Sequence, residues 1–369
     1  MTKWKFNKGE WSEAYCFCKL LYEGKVHAGD ENLRKIENEY YPILKIIKNE
    51  IDSYFSNNTD LDLIEIINLN GNIEKSVEKS KFLKISDDIL NKIISEKGSS
   101  FEIPILENFL KGLGFIQFKS SSGNKADLIM EIKDLKTDIE KEYSFSIKSE
   151  LGSKPTILNA SNATNFIYQL DGFDDFEAEN IMKITKQTDK KWLKIRIAKI
   201  LELVKRKNYK LKFIKAENSQ FENNLKLIDS KLPYLISEIL LCFYSHEKLS
   251  DIKSLTHHLS EINPLQINEN QKFLFYKKNM IELIKASTFY MMPTKPWNGN
   301  YDVDGGILTV LKNGNVLLHH IFYNKKQLDE YLFNNTKLET PSSTRYKMGD
   351  IYKENENYYF KLNLQIRMK

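Results

Sequence analysis

Cysteine is scarce in this chain of 369 residues: Cys16, Cys18 and Cys242 are all it has. An odd set of three implies no disulfide framework. Cys16 and Cys18 lie two residues apart in an apolar helical stretch, on different faces, and are read as reduced and structural. No apolar run approaches the ~18 residues that a membrane-spanning helix requires. The opening Met1-Thr2-Lys3-Trp4-Lys5 lacks the apolar stretch and cleavage site of a signal peptide, so a cytoplasmic protein is expected. Glycine-rich loops of the Walker or Rossmann type are absent, which argues against an enzyme of nucleotides. The histidine pairs His257-His258 and His319-His320 have no cysteine or carboxylate at zinc-site spacing, so neither is expected to hold a metal. Fixed-period repeats and low-complexity segments are missing too. Hydrophobic content of 41% and aromatic content of 12% exclude wholesale disorder.

Charge is distributed unevenly. The net charge is only +5, yet Ile181 to Lys215 carries thirteen Lys or Arg against two acids, Asp189 and Glu202. Such a local excess suits a polyanion, because neutralising phosphates releases counterions. A lysine-rich solvated helix face would look the same.

Periodicity predicts helices at Gly9–Tyr22, Ile36–Ile51, Leu61–Ile67, Asp87–Ile94 and Ile105–Leu113. It then shifts to strands at Gly114–Phe118, Ala126–Ile132 and Tyr143–Lys148, with a Ser- and Gly-rich turn at Ser120–Lys125. A helix is expected from Asn162 to Leu170, and mainly helical structure from Ile181 to Met291. Past Pro293 the pattern is β: Gly305–Leu311, an Asn313-Gly314 hairpin turn, Val316–Phe322, then Gly349–Tyr352 and Tyr358–Ile366. Through residue 170 the element order is helix, strand, strand, strand, helix. Three segments follow: a core at 1–180, a mainly helical basic region at 181–292 and a small β-rich region at 293–369.

The chemistry-bearing constellation is Asp127, where a strand begins, and Lys148, where the neighbouring strand ends. Charged groups at the ends of buried strands are costly unless something pairs with them. A divalent cation bridging to a phosphate is one such partner. Phosphodiester hydrolysis needs carboxylates to bind Mg²⁺ and a lysine to stabilise the developing charge. The slot two residues before the lysine holds Ser146, which cannot serve as the second carboxylate. Glu13, in the first turn of the N-terminal helix with apolar Cys16 and Phe17 one turn on, is the preferred candidate. Its alternative role is a carboxylate favoured there by the helix dipole. Glu150, two residues beyond Lys148, is the second candidate.

Asn7-Lys8-Gly9-Glu10-Trp11-Ser12-Glu13 and Ala28-Gly29-Asp30-Glu31-Asn32-Leu33 resemble the N-terminal signature of the HpaII-like type II restriction endonucleases. So do Phe145-Ser146-Ile147-Lys148-Ser149-Glu150-Leu151-Gly152-Ser153-Lys154-Pro155-Thr156, Leu158-Asn159-Ala160-Ser161 and Thr164-Asn165-Phe166. Near the C-terminus, Thr340-Pro341-Ser342-Ser343-Thr344-Arg345 and Lys361 to Arg367 add to the likeness, which spans nearly the whole chain. The resemblance implies an α/β fold, a mixed sheet flanked by helices that forms a PD-(D/E)xK nuclease core, in keeping with the element order. It also implies a Mg²⁺ requirement and double-strand cutting of a short palindrome, with 5′-CCGG-3′ the family's eponymous target. A cognate DNA methyltransferase is implied too, and palindrome cutting suggests two active sites related by symmetry, in a homodimer or by successive action of monomers. Serine at position 146 departs from the superfamily pattern. Base or backbone contacts are expected among Ser149, Ser153, Lys154, Asn159, Ser161, Asn162, Asn165 and Arg345, since Asn and Arg read purine edges. Each of these could equally be a turn or capping residue. The rival reading is a non-catalytic, sequence-specific DNA-binding protein.

Overall fold

A computed structural model describes residues 3–119, 126–187, 189, 191–300, 303–322, 325–341 and 346–369. Two compact units emerge, one of residues 1–155 and 301–331, the other of residues 156–300 and 332–369. Ten α-helices and three β-sheets are found among the described residues, a mixed α/β architecture.

In the first unit, helix α1 (Lys8–Glu23) is followed by strands β1 (Lys25–Gly29), β2 (Lys35–Ile47), β3 (Ser53–Asn58), β4 (Leu63–Asn68) and β5 (Ile73–Glu78). Helices α2 (Lys79–Ser95) and α3 (Pro104–Gly112) come next, then β6 (Leu128–Lys133) and β7 (Glu140–Ser149). The second unit continues with β8 (Thr156–Leu158), β9 (Asn165–Asp171), α4 (Asp175–Met182), α5 (Trp192–Lys207), β10 (Lys210–Ala216), α6 (Ser219–Ile228), α7 (Leu232–Ser245), α8 (Ile252–Ile262) and α9 (Lys272–Phe289). The chain returns to the first unit for β11 (Gly306–Val310) and β12 (Val316–His320).

Nine strands form one sheet in the order β1-β12-β11-β7-β6-β2-β3-β4-β5. The β11–β7 and β1–β12 pairings are parallel and the others antiparallel, so the sheet is mixed. Residues 306–320 thus belong to the first sheet: β11 lies directly against β7, with Ile307 opposite Ser146 and Thr309 opposite Lys148. The long β2 serves two sets of neighbours. Its first part pairs with β1, and Ile43 to Ile47 pair with β6, with β3 on the other side.

Helix α1 covers the sheet's core face. Asn7 caps it in a capping box with Glu10, an arrangement that contributes about 1 kcal/mol. Gly24, at φ 64°, ends it in a left-handed turn that glycine adopts without strain. The helix buries Trp11, Tyr15, Phe17 and Cys18 against Leu128, Met130, Phe145, Ile147, Leu308 and Val310. Trp11 Nε1 donates to Phe101 O at 3.0 Å, and Tyr15 Oη to Gly314 O at 2.5 Å, so the polar ends of both buried rings are satisfied.

Several expected elements differ. The segments 36–51 and 61–67, expected as helices, are strands β2 and β4 with the turns around them. Their apolar spacing fits a helix, but Pro42 would remove a helical hydrogen bond. In β4 the alternate residues Ile64 and Ile66 are buried between neighbouring strands, and burial on a pleated surface outweighs local spacing. The expected helix at 162–170 is a single 3₁₀ turn at Asn162–Thr164 followed by β9. There Phe166, Tyr168 and Leu170 alternate inward. Gly114 to Phe118 is an irregular segment rather than a strand. Phe115 and Phe118 plug the core beside Phe17, with ring centroids 5.7 Å away in both cases. The strands expected at 126–132 and 143–148 are present as β6 and β7.

The second unit also holds β13 (Thr336–Leu338), β14 (Tyr352–Glu354), β15 (Asn357–Asn363) and β16 (Ile366–Met368), and β10-β9-β15-β14 make an antiparallel sheet. Tyr168 and Tyr244 tie it to α7 and its neighbours by donating to Ser237 O and Asn363 O. Much of the basic segment's charge is answered locally. Arg196 is buried and held by Asp350 and by the carbonyls of Met182, Ile184 and Gly349. Lys191, Lys199, Lys207 and Lys212 pair with Glu247, Glu202, Glu177 and Asp171. Lys205, Lys210 and Lys215 are exposed and have no acidic partner among the described residues. No helix among the described residues is long and apolar enough to cross a membrane.

Gly306, the first residue of β11, is tightly enclosed, at φ 124° with an added Cβ only 2.2 Å from His319 O and 2.9 Å from His320 Cα. Gly306→Ala should cost roughly 2 kcal/mol or more, because backbone strain and a backbone clash coincide. Urea unfolding checks this, and an unchanged midpoint would refute it.

Candidate active site

The site grows from the pairing of β6 with β7. Leu128 lies opposite Phe145, and Asp127 N donates to Phe145 O at 2.9 Å, so Asp127 stands at the mouth of the ladder. Its Oδ2 accepts from Ile147 N at 2.7 Å and from Ser146 Oγ at 3.3 Å. Lys148 Nζ in turn donates to Ser146 Oγ at 2.7 Å. Phe145 and Ile147 point into the core, so Ser146 and Lys148 take the opposite face. The aspartate and the lysine expected from sequence therefore meet, with Ser146 as the link between them. Asp127 Oδ1 accepts no hydrogen bond among the described residues.

Glu13 reaches the same place from α1. Although the residue is partly exposed, its carboxyl is closely surrounded by protein and is pushed up to about 8, first by burial and next by the negative charge of Asp127. Lys48 and Lys148 pull it the other way, and Glu10 adds a smaller push upward. A neighbouring carboxylate disfavours the charged form of Glu13. Glu13 makes no hydrogen bond among the described residues, so its oxygens are available to a ligand. The thiol of Cys16, one turn on, is raised well above the ordinary range by burial and by the charges of Asp127 and Glu13. It stays protonated, in keeping with a structural role.

Glu150 is placed differently. The strand ends at Ser149, and Glu150 pairs with Lys154 at 2.7 Å. Ser149 is buried, its hydroxyl donating to Ser12 Oγ at 2.7 Å and accepting from Leu151 N. In the second unit, Asn165 is buried between Glu217 and Asn363, and Ser161 caps the 3₁₀ turn. Ser153, Asn159 and Asn162 are exposed. Asn159 lines a cavity of about 320 Å³ with Glu339, Tyr346 and Gln365. Arg345 and the rest of its loop lie outside the described residues, as does the expected turn at 120–125.

Sequence reasoning missed Lys48. Its side chain is 1% exposed, yet its amine donates to Asp127 O at 2.8 Å, lies 3.4 Å from Glu50 and stands 4.5 Å above the Phe118 ring. A buried ammonium needs such partners. Reading residues 36–51 as a helix hid it, since only the strand–turn path of β2 brings Lys48 beneath β6. Pro42 was the available signal.

The donor set suits a hard cation. Glu13 and Asp127 Oδ1 are carboxylate oxygens without protein partners, and Mg²⁺ is commonly held by one or two carboxylates with water and substrate phosphate completing its shell. No cluster of three or more His, Cys, Asp or Glu side chains suited to a metal occurs among the described residues. That is compatible with a site of this two-carboxylate kind.

Paired carboxylates and a lysine at the end of a mixed sheet are the equipment of a metal-assisted nuclease, and comparison with known proteins points to the restriction endonucleases. The model of the HpaII restriction endonuclease family matches residues 7–368. The chain is 38% identical over 365 residues to the type II restriction enzyme HpaII of Haemophilus parainfluenzae, covering 98% of each chain. It belongs to the HpaII restriction endonuclease family. No solved structure matches it.

Lys48→Met should destabilise the protein by about 3 kcal/mol or more, because it leaves Glu50 buried without its counter-charge. Adding Glu50→Gln should restore part of that loss. Urea unfolding of the single and double variants checks it, and a single variant as stable as the parent would show that Lys48 carries no structural charge balance.

Proposed function

We propose that this type II restriction endonuclease makes Mg²⁺-dependent double-strand cuts in a short palindromic DNA site, for which 5′-CCGG-3′ is the family's eponymous sequence. The convergence of Glu13, Asp127 and Lys148 at one end of β6 and β7 carries the reading. Glu13 and Asp127 would hold the cation, with Asp127 kept in place by Ile147 N–H and Ser146. Bound there, Mg²⁺ supplies a Lewis acid for the scissile phosphate and lowers the pKa of a bound water. Lys148 stabilises negative charge developing on the phosphate and orients the attacking water. Its pairing with Lys154 makes Glu150 the weaker second carboxylate. The sheet and α1 would form a PD-(D/E)xK core in which Glu13 fills the role that Ser146 cannot.

The exposed Lys205, Lys210 and Lys215 suit backbone phosphates, and the 181–292 region is the proposed DNA-contacting part. Asn159, Ser161, Asn162 and Arg345 are the proposed base readers, whereas Ser149 and Asn165 have their side-chain polar groups engaged within the protein. Lys154 and Ser153 would sit beside the backbone. A cognate methyltransferase would protect the same sequence without touching this chain, and a homodimer would present two sites to the two strands.

Asp127→Ala and Lys148→Ala should each slow plasmid cleavage by roughly 100-fold or more, with DNA binding and folding largely kept. Glu13→Gln should be similarly impaired and need more Mg²⁺, while Glu150→Gln should stay within about threefold of the parent if Lys154 remains its partner. EDTA should abolish nicking in all. Full activity in the Asp127 or Lys148 variant would remove the site, and salt-sensitive DNA binding without nicking in the parent would favour the non-catalytic reading.

A further inference from the structure

We propose that Ser146 is a positioning residue of this enzyme: its hydroxyl joins Lys148 to Asp127 and holds the lysine's amine at the cleavage centre. This rests on the reading of Asp127 and Lys148 as catalytic residues and adds a role for the position where the superfamily pattern has an acid.

The hydrogen-bond directions leave little choice. An ammonium has only donors, so at 2.7 Å Lys148 Nζ must donate into a lone pair of Ser146 Oγ. The serine's own proton is then committed elsewhere, and Asp127 Oδ2 at 3.3 Å is placed to receive it. Ser146 is 1% exposed, so water cannot readily substitute for either partner. A lysine side chain has four rotatable bonds and loses much rotamer freedom when fixed. A charge-assisted bond to a buried hydroxyl fixes it at modest cost.

The neutral serine also suits its surroundings. A carboxylate in place of Ser146 would stand within hydrogen-bond distance of Asp127 Oδ2, where two like charges repel. With Ser146 and Ile147 both on Oδ2, Asp127 Oδ1 is the atom left for a ligand. The serine thus aims two groups at once: the amine, and the carboxylate oxygen that faces outward.

The test uses the full-length protein with Ser146→Ala, Ser146→Val and Ser146→Thr, the last two alike in shape and differing in the hydroxyl. Ser146→Ala and Ser146→Val should lower kcat on the order of 10- to 100-fold, as expected when a catalytic group is misplaced by about an ångström. Their KM for DNA, metal-free DNA binding and thermal midpoint should stay near the parent's. Ser146→Thr should recover most of kcat relative to Ser146→Val. Independently of turnover, acetylation of Lys148, followed by mass spectrometry without metal or DNA, should be several-fold faster in Ser146→Ala. The double variant Ser146→Ala/Lys148→Ala should be no slower than Lys148→Ala, since groups acting as one unit are non-additive.

Parent-like cleavage by Ser146→Ala, equal rates for the threonine and valine variants, or unchanged acetylation of Lys148 would overturn the proposal. Parent-like cleavage by Lys148→Ala would instead overturn the reading on which it rests, so the two failures are distinguishable.

Discussion

The antiparallel register of β6 on β7 is the constraint on which the site depends. With Leu128 opposite Phe145, the Asp127 carboxylate comes within 2.7 Å of Ile147 N, and Ser146 and Lys148 fall on the face away from the core. A slip by one residue would invert every side chain of β7, burying Lys148 and turning Phe145 and Ile147 outward. Apolar burial under α1 therefore sets the alignment of the polar groups. The same contacts that make the core also set the chemistry.

Charge balance completes the arrangement. The charge of Asp127 raises the cost of ionising Glu13, and Lys48 and Lys148 offset part of that cost. Lys48 acts from within, on the backbone carbonyl of Asp127 and beside Glu50. Lys148 acts from the more open side through Ser146. Before any ligand arrives, the protein has thus gathered two carboxyls and two ammonium groups in one place.

Asp127 and Lys148 were legible in the sequence because each stands where an apolar stretch of strand meets a charge, and alternation alone places Ser146 beside Lys148. Glu13 was legible from its place on a clearly periodic helix. What lay beyond sequence reasoning was non-local. The pairing of β11 with β7 joins residues some 160 positions apart, and nothing in either segment names the other. The helical reading of residues 36–51 failed because Ile and Tyr at those spacings satisfy either period, and neighbouring strands decided the outcome. With it went Lys48. Nor did the basic segment reveal how much of its charge is internal: Arg196 is buried as a brace for three carbonyls and Asp350, a role that composition cannot distinguish from DNA contact.

A crystal of the protein soaked in Mn²⁺ and measured for anomalous scattering would examine the central claim directly. The account predicts a peak within coordination distance of both Glu13 and Asp127 Oδ1, with Lys48 still on the Asp127 carbonyl. A peak seated instead between Glu150 and its surroundings, or bound metal that leaves Glu13 untouched, would contradict it.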